Sequence, residues 1–331
     1  MEAKRARTRA IGAGYDVIGD VHGQGEKLEG LLDRLGYRRV DGTWTAPEGR
    51  QAVFVGDLID RGPNQLRVLE IAKGLVDDGA AQITLGNHEL NALAWSTEHP
   101  EQPGTFLRRH EDTKRKQHRA FLDQLSKEQR DHYLGWFWTL PLWLDLGSIR
   151  VVHACWDEKS QKTVKDELGG SRLREVRHLV DATTKGHPLH DAVETLLKGP
   201  ELPLAPHGLP SFLDKDGTRR TAARLRWWAW GTDRVADLVE IPPGSTTPDG
   251  DPYPVIADHL VVGAEHQFDG HDGSPIFYGH YWRKAEHGLD IACTTSTACV
   301  DFSAGKGGPL VAYRWSQGET SIDPGSYVTY R

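Results

Sequence analysis

Tyr15-Asp16-Val17-Ile18-Gly19-Asp20-Val21-His22-Gly23-Gln24 decides how the rest of this chain is read. A short apolar, β-favouring run, Tyr15 to Ile18, stops at a glycine, and Asp20 and His22 follow at once. The same arrangement recurs twice nearby. Gln51 to Val55 precedes Gly56-Asp57-Leu58-Ile59-Asp60-Arg61-Gly62, and Ala81 to Leu85 precedes Gly86-Asn87-His88-Glu89. Two isolated histidines repeat it later, His153 after Ile149 to Val152 and His280 after Ile276 to Gly279. Strand ends carrying Asp, His, Asn and His suit a site that holds two metal ions on a phosphoester. One Asp-x-His pair alone is more often a solvated loop, and Gly-Asn-His-Glu alone can be a helix start with Asn87 as N-cap. The ordered set is what carries weight.

Outward from these blocks the pattern alternates strand and helix. Leu28, Leu31, Leu32 and Leu35 recur at helical spacing and end at Gly36. Asp41-Gly42, between two β-like runs, signals a hairpin. Leu66, Leu69, Ile71, Ala72 and Leu75 mark a second helix, started by Pro63. Units of this kind imply right-handed crossovers with helices outside the sheet, and functional residues at the carboxyl ends of strands. The expected class is α/β. Residues 95 to 139 and 157 to 198 break the rhythm and read as helical insertions, with Phe106 to Leu125 helical and Ser126 starting another helix. Residues 199 to 219 and 242 to 254, rich in Pro and Gly, read as loops. Short strands return at Thr297 to Phe302, Pro309 to Trp315 and Tyr327 to Tyr330. The division expected is a basic tail over residues 1–12, with Lys4, Arg5, Arg7 and Arg9, and one domain over 13–331.

The chain has 331 residues, 38% of them apolar, and a formal net charge of −7. That is enough for one sizeable core. The acidic balance disfavours a dedicated nucleic-acid binder without excluding nucleic acid as a partner. Three cysteines do not make a disulfide framework and suggest a reducing compartment. Residues 1–12 lack the apolar stretch of a secretory signal. No apolar run nears the ~20 residues that span a bilayer. A cytoplasmic protein with no membrane partner is the expectation.

The chemistry follows from ligand types. Divalent metals take carboxylate, imidazole and amide oxygen. Asp20 and His22 are two apart, so on a strand they share a face and reach one metal. Asp57 has two oxygens and can bridge two metals. Asn87 offers a neutral oxygen to the second metal, which His153 and His280 complete. Two ions about 3.5–4 Å apart clamp a phosphoryl group and acidify a bridging water, whose hydroxide would attack phosphorus in line. His88 directly follows a ligand and is instead placed to protonate the leaving oxygen. Asp60 could orient His88, and Arg61 suits the equatorial oxygens of a phosphate. The donor set permits Mn, Fe, Zn, Co or Ni, with Mn²⁺ expected to support activity in vitro. Cys155, two residues past a ligand, reads as a buried apolar residue.

These residues closely resemble the calcineurin-like metallophosphoesterases, and within them the phosphoprotein phosphatases and the symmetrical diadenosine tetraphosphatases. The shared pattern is G-D-x-H-G, G-D-x-x-D-R-G, G-N-H-E and two separated histidines. The resemblance implies two packed mixed β-sheets flanked by helices. It implies Asp20, His22 and Asp57 on one metal, and Asp57, Asn87, His153 and His280 on the other. It also implies His88 as acid, Asp60 as its partner, and Arg61 and Asn87 on the substrate phosphate. Trp230-Gly231-Thr232-Asp233-Arg234 is similar to a segment whose arginine is a further phosphate clamp, which implies that role for Arg234, with Arg224 and Arg226 as rivals. Packing is the other reading of Trp227, Trp228 and Trp230. The chain departs from the phosphatases after His153 and His280, so the substrate is not carried over. A phosphorylated protein or small molecule such as a dinucleoside polyphosphate is expected, cleaved as a monoester or anhydride. A phosphodiesterase acting on 2′,3′-cyclic or RNA ends, and a non-catalytic scaffold on the same fold, are the alternatives.

Overall fold

A computed structural model describes residues 12–214, 217–266, 268, 272–289 and 293–331. The basic residues of the expected tail, Lys4, Arg5, Arg7 and Arg9, lie outside it. The described residues gather into two compact units, divided after Lys198 and again before Ser274. The single domain expected over 13–331 takes in residues of both units.

Two mixed sheets organise the larger unit. In the first, strand Gly14–Ile18 runs parallel to Arg50–Phe54, which runs parallel to Ala81–Ile83. Its other edge pairs antiparallel with Leu310–Ser316, which pairs antiparallel with Tyr327–Tyr330. The second sheet joins Thr297–Cys299, Ile276–Tyr278, Arg150–Val152 and Trp143–Asp145 in that order, the last pair antiparallel. Phe277 of the second sheet packs against Tyr313 and Trp315 of the first, with ring centroids 4.9 and 6.1 Å apart. Strand Gly14–Ile18 is buried along its whole length because it is central and covered on both faces, which is why apolar residues face both sides of it.

Asp16 is the charged residue of that strand and is fully buried. Its carboxylate accepts from Arg50 Nη2 at 2.9 Å, Arg314 Nε at 2.9 Å and the Tyr37 hydroxyl at 3.2 Å. A buried charge matched this closely is tolerated, whereas deleting one partner costs about 3–5 kcal/mol.

The helices follow their patterns. Helix Gly25–Arg34 buries Leu28, Leu31 and Leu32, and helix Gln65–Asp77 buries Leu69, Ile71, Ala72 and Leu75. The second starts after Asn64, so Pro63 lies just before it rather than in its first turn. Asp41 and Gly42 take the left-handed turn between strands Arg38–Val40 and Thr43–Thr45. In the first insertion, the helix begins at Asp112 instead of Phe106. Ser126 caps the next one by accepting from Gln129 N. Residues 157–198 form three helices, Glu158–Leu168, Val176–Thr183 and Pro188–Lys198. No helix among the described residues is long and apolar enough to cross a membrane.

The smaller unit is built of short strands, of which Glu201–Pro203 and Phe212–Leu213 fall in the segment 199–219 expected to be loop. Ala222–Leu225 pairs with Glu201–Pro203 and Val239–Glu240, over a core that includes Leu202, Leu204, Leu225, Val235 and Leu238.

Candidate metal and phosphoester site

The site grows from strand ends. Gly19-Asp20, Gly56-Asp57 and Gly86-Asn87 leave the first sheet, and His153 and Gly279-His280 leave the second. The sheets are joined here, since His153 Nδ1 meets the backbone oxygen of Val55 at 2.8 Å. A carbonyl can only accept, so Nδ1 carries the proton and Nε2 is left to face the site. His22 is set in the same way, with Nδ1 2.9 Å from the oxygen of Ile59.

The facing atoms converge on Asp57. His22 Nε2 lies 3.6 Å from Asp57 Oδ2, and His153 Nε2 lies 3.5 Å from Asp57 Oδ1. Asn87 Oδ1 is 3.0 Å from His153 Nε2. Ligand atoms of Asp57, His153 and His280 all lie within 4.8 Å of one another, as do those of His22, Asp57 and His88. Asp20 joins through its Oδ2, which accepts from His280 N at 3.2 Å, while its Oδ1 is buried with no hydrogen-bond partner among the described residues. The bridging position expected of Asp57 is therefore the geometric centre of the two groups.

Backbone strain is concentrated at the same place. His22, Asp57, Asp60, Arg61 and His280 hold φ of 47°, 53°, 71°, 66° and 59°, in the left-handed region that side chains avoid. Outside the site blocks only Asp41 and Ser303 do so among the described non-glycine residues. Such conformations persist where surrounding contacts over-determine them. Two glycines allow the close approaches. A Cβ on Gly86 would overlap Asp57 N and Oδ1, and one on Gly279 would overlap Asp20 Oδ1.

Charge is concentrated too. Asp20, Asp57 and Asp301 are almost fully buried. Burial first, then the neighbouring carboxylates of Asp301 and Asp57, holds the Asp20 carboxyl well above the usual range. Burial also raises Asp301, whose Oδ1 accepts from Ser303 N at 2.8 Å. Carboxylates crowded in a dry site, with imidazoles turned inward and an orphaned carboxylate oxygen, form a donor set suited to divalent cations. The residues fit the expected ions.

His88 is half-buried. Its Nδ1 lies 2.6 Å from Asp60 Oδ2, and its Nε2 lies 3.9 Å from Asp57 Oδ2 and 3.5 Å from Arg61 Nη2. Its own Nδ1 is thus taken by Asp60, leaving Nε2 toward the group around Asp57. Burial works to lower its pKa, but the Asp57 and Asp60 carboxylates outweigh that and raise it above 6.5. Asp60, also buried, is held below the usual carboxylate range. Burial opposes that shift, and hydrogen bonds from His118 and His88 overcome it.

Three contributors were not picked out as site residues from sequence. Glu89 had been noted only as a residue of the helix's first turn. It is fully buried, and its carboxylate accepts from the backbone N–H groups of Asp57, Leu58 and Gly86 at 2.9, 2.8 and 3.1 Å. Its place beside Asn87 and His88 was the available signal. Asp301 had the same signal as the other site residues, lying just past the end of strand Thr297–Cys299, whereas His118 had none, since it stands alone in its segment. Arg234 lies in the smaller unit, where it pairs with Asp237 at 2.7 Å and Asp258 at 3.6 Å. Trp227 is buried there, packed against Trp228 and Trp230. Cys155 is fully buried, and burial pushes its thiol well up, which removes nucleophilic thiolate character.

The calcineurin-like phosphoesterase family model matches residues 15–230. The asymmetrical bis(5'-nucleosyl)-tetraphosphatase PrpE of Oceanobacillus iheyensis is 33% identical over 141 residues, 42% of this chain and 54% of that protein. The Bacillus subtilis protein of the same name is 32% identical over 146 residues, 42% of this chain and 57% of its own length. The chain thus spans little more than half the length of these relatives. A protein serine/threonine phosphatase from Saccharomyces cerevisiae, with similarity to human phosphatase PP5, superposes with a TM-score of 0.49 at 14% identity, over 98% of this chain and 80% of its own.

Proposed function

Because this chain belongs to the calcineurin-like phosphoesterase family, we propose that it hydrolyses a phosphoanhydride or phosphomonoester, with a dinucleoside polyphosphate as the favoured substrate and a phosphoprotein as the rival. The observation that carries the reaction class is the convergence on Asp57 of His22, His153 and His280 with the imidazole of His88 alongside. The favoured substrate draws on the tetraphosphatases that the chain resembles. Their names specify asymmetrical cleavage, which splits a tetraphosphate into a nucleoside triphosphate and a monophosphate.

Asp20, His22 and Asp57 would hold one divalent ion, and Asp57, Asn87, His153 and His280 the other. When bound, such a pair neutralises phosphoryl charge and makes water acidic enough to attack at neutral pH. The chain's residues supply the remainder. Arg61 offers planar donors to the non-bridging phosphate oxygens. Asp60 keeps the proton of His88 on Nδ1 and turns Nε2 outward, and Nε2 donates its proton to the departing oxygen. Glu89 fixes the Asp57 loop by its backbone. Mn²⁺ as the activating ion, a cytoplasmic location, a single catalytic domain over 13–331 and a phosphate contact for Arg234 belong to the same proposal.

The test is one assay of the Mn²⁺-loaded protein. It compares p-nitrophenyl phosphate, bis-p-nitrophenyl phosphate, a phosphopeptide, diadenosine tetraphosphate and a 2′,3′-cyclic nucleotide. The proposal expects the tetraphosphate to lead in kcat/KM, with ATP and AMP as products. Preference for the diester or the cyclic nucleotide overturns it. No turnover of any substrate, with both ions bound, favours a scaffold.

A further inference from the structure

We infer that His118, on the inserted helix Asp112–Gln124, is a positioning residue for the proton donor: it holds Asp60 in the one orientation that presents Asp60 Oδ2 to His88. The inference rests on His88 acting as the acid.

The two oxygens of Asp60 are divided between two imidazoles. Oδ2 accepts from His88 Nδ1 at 2.6 Å, and Oδ1 accepts from His118 Nδ1 at 2.9 Å. A carboxylate held by one donor can still swing about its terminal torsion. Held by a donor on each oxygen, it cannot swing without breaking one bond. His118 is itself immobilised. It is 2% exposed, stacked on Phe121 with centroids 5.0 Å apart, and 5.9 Å from Trp95. Trp95 belongs to helix Asn87–Ser96, which also carries His88, so the packing that seats His118 is referenced to the acid.

The rest of the inserted helix supports this. Of its residues, only His118 and Phe121 are buried. An imidazole at one of two core positions of a surface helix is costly unless its polar atoms are bonded. Asp60 is its hydrogen-bond partner, and Nε2 has none among the described residues. Gln124 grips the far side of the same loop, donating from Nε2 to Gly62 O at 3.0 Å and accepting from Gln65 N at 3.1 Å. The strained Asp60-Arg61 pair is thus clamped from one helix at both ends.

The experiment is single-turnover kinetics of the full-length, Mn²⁺-loaded protein on p-nitrophenyl phosphate and phenyl phosphate. The variants are His118→Leu, His118→Asn, His118→Gln and His88→Ala. Phenolate leaves poorly and needs the proton, whereas p-nitrophenolate needs it little. His118→Leu should slow phenyl phosphate about 10–100-fold more than p-nitrophenyl phosphate, the range seen when an orienting partner is lost. The enzyme concentration giving half-maximal single-turnover rate and the metal content should stay near wild type. His118→Asn, whose amide nitrogen can occupy the Nδ1 position, should restore most of the ratio, and His118→Gln, with its donor displaced, should not.

Equal loss on both esters in His118→Leu overturns the inference. If His118→Leu fails to fold, the Asn–Gln contrast decides, and equal ratios for the two overturn it. His88→Ala separates the layers. A selective loss there without one in His118→Leu removes His118 alone, and an equal loss in His88→Ala removes the acid assignment and the inference together.

Discussion

Glu89 Oε2 accepts the backbone N–H of Asp57 at 2.9 Å, so the residue central to the metal site is held by the helix that carries Asn87 and His88. Leu58 N and Gly86 N donate to the same carboxylate. Glu89→Gln replaces one acceptor oxygen by an amide that faces N–H groups. Leaving a buried donor unsatisfied costs about 1–3 kcal/mol. Thermal unfolding should report that loss, and metal titration should show affinity weakened about 10–100-fold, as when ligand-orienting contacts are removed. Unchanged metal affinity would show that the loop holds Asp57 without help.

Metal binding and pH should be linked. Burial first, then the charge of Asp57, pushes Glu89 up to about 7, and Asp20 and Asp301 are raised by burial and neighbouring carboxylates. For acids raised in the folded state, the native form binds more protons than the unfolded one. The contribution of these three acids to stability is then greatest below the ordinary carboxylate range and is lost as pH rises through about 7. Bound cations offset that penalty. The gain in melting temperature on adding Mn²⁺ should be larger at pH 8 than at pH 5. An equal gain at both would mean that these carboxylates do not sense the ions.

The acid should be tuned by its partner. The Asp57 and Asp60 carboxylates overcome burial and raise His88 above 6.5, so its protonated form persists to higher pH. Asp60→Asn removes one negative charge and lowers that pKa. The alkaline limb of kcat/KM on phenyl phosphate should move to lower pH, and the rate at pH 7 should drop about 10²-fold or more. A limb that stays in place would uncouple Asp60 from His88.

Arg61 is exposed, and its Nη2 stands 3.5 Å from His88 Nε2 at the edge of the metal site. Charge-assisted hydrogen bonds contribute about 1.5–3 kcal/mol each. Arg61→Ala should therefore raise the inhibition constant of inorganic phosphate about 10–100-fold while leaving metal content alone. An unchanged constant would remove Arg61 from phosphate binding.

The proposed metal ligands are legible in the sequence because each lies just past the end of an apolar strand. Alternation into glycine and then Asp, Asn or His is a local pattern, and parallel pairing brings those ends together without further information. His118 is not legible, because its role depends on a helix from an insertion landing on a loop 58 residues earlier in the chain. Nothing within helix Asp112–Gln124, charged on most faces, marks that position apart from its burial. The smaller unit escaped for another reason. Its strands are two to four residues long, too short for a two-residue period to register. The Pro- and Gly-rich links between them read as loops.

Anomalous scattering from crystals of the Mn²⁺-loaded protein would reveal whether Asp57 bridges two ions. Two manganese peaks about 3.5–4 Å apart should flank the Asp57 carboxylate, one beside Asp20 and His22 and the other beside Asn87, His153 and His280. Asp57→Asn should lose both peaks and reduce turnover about 10³-fold or more, the rate equivalent of several kcal/mol of lost stabilisation. A single peak, or a pair away from Asp57, would rule out a site bridged by that residue.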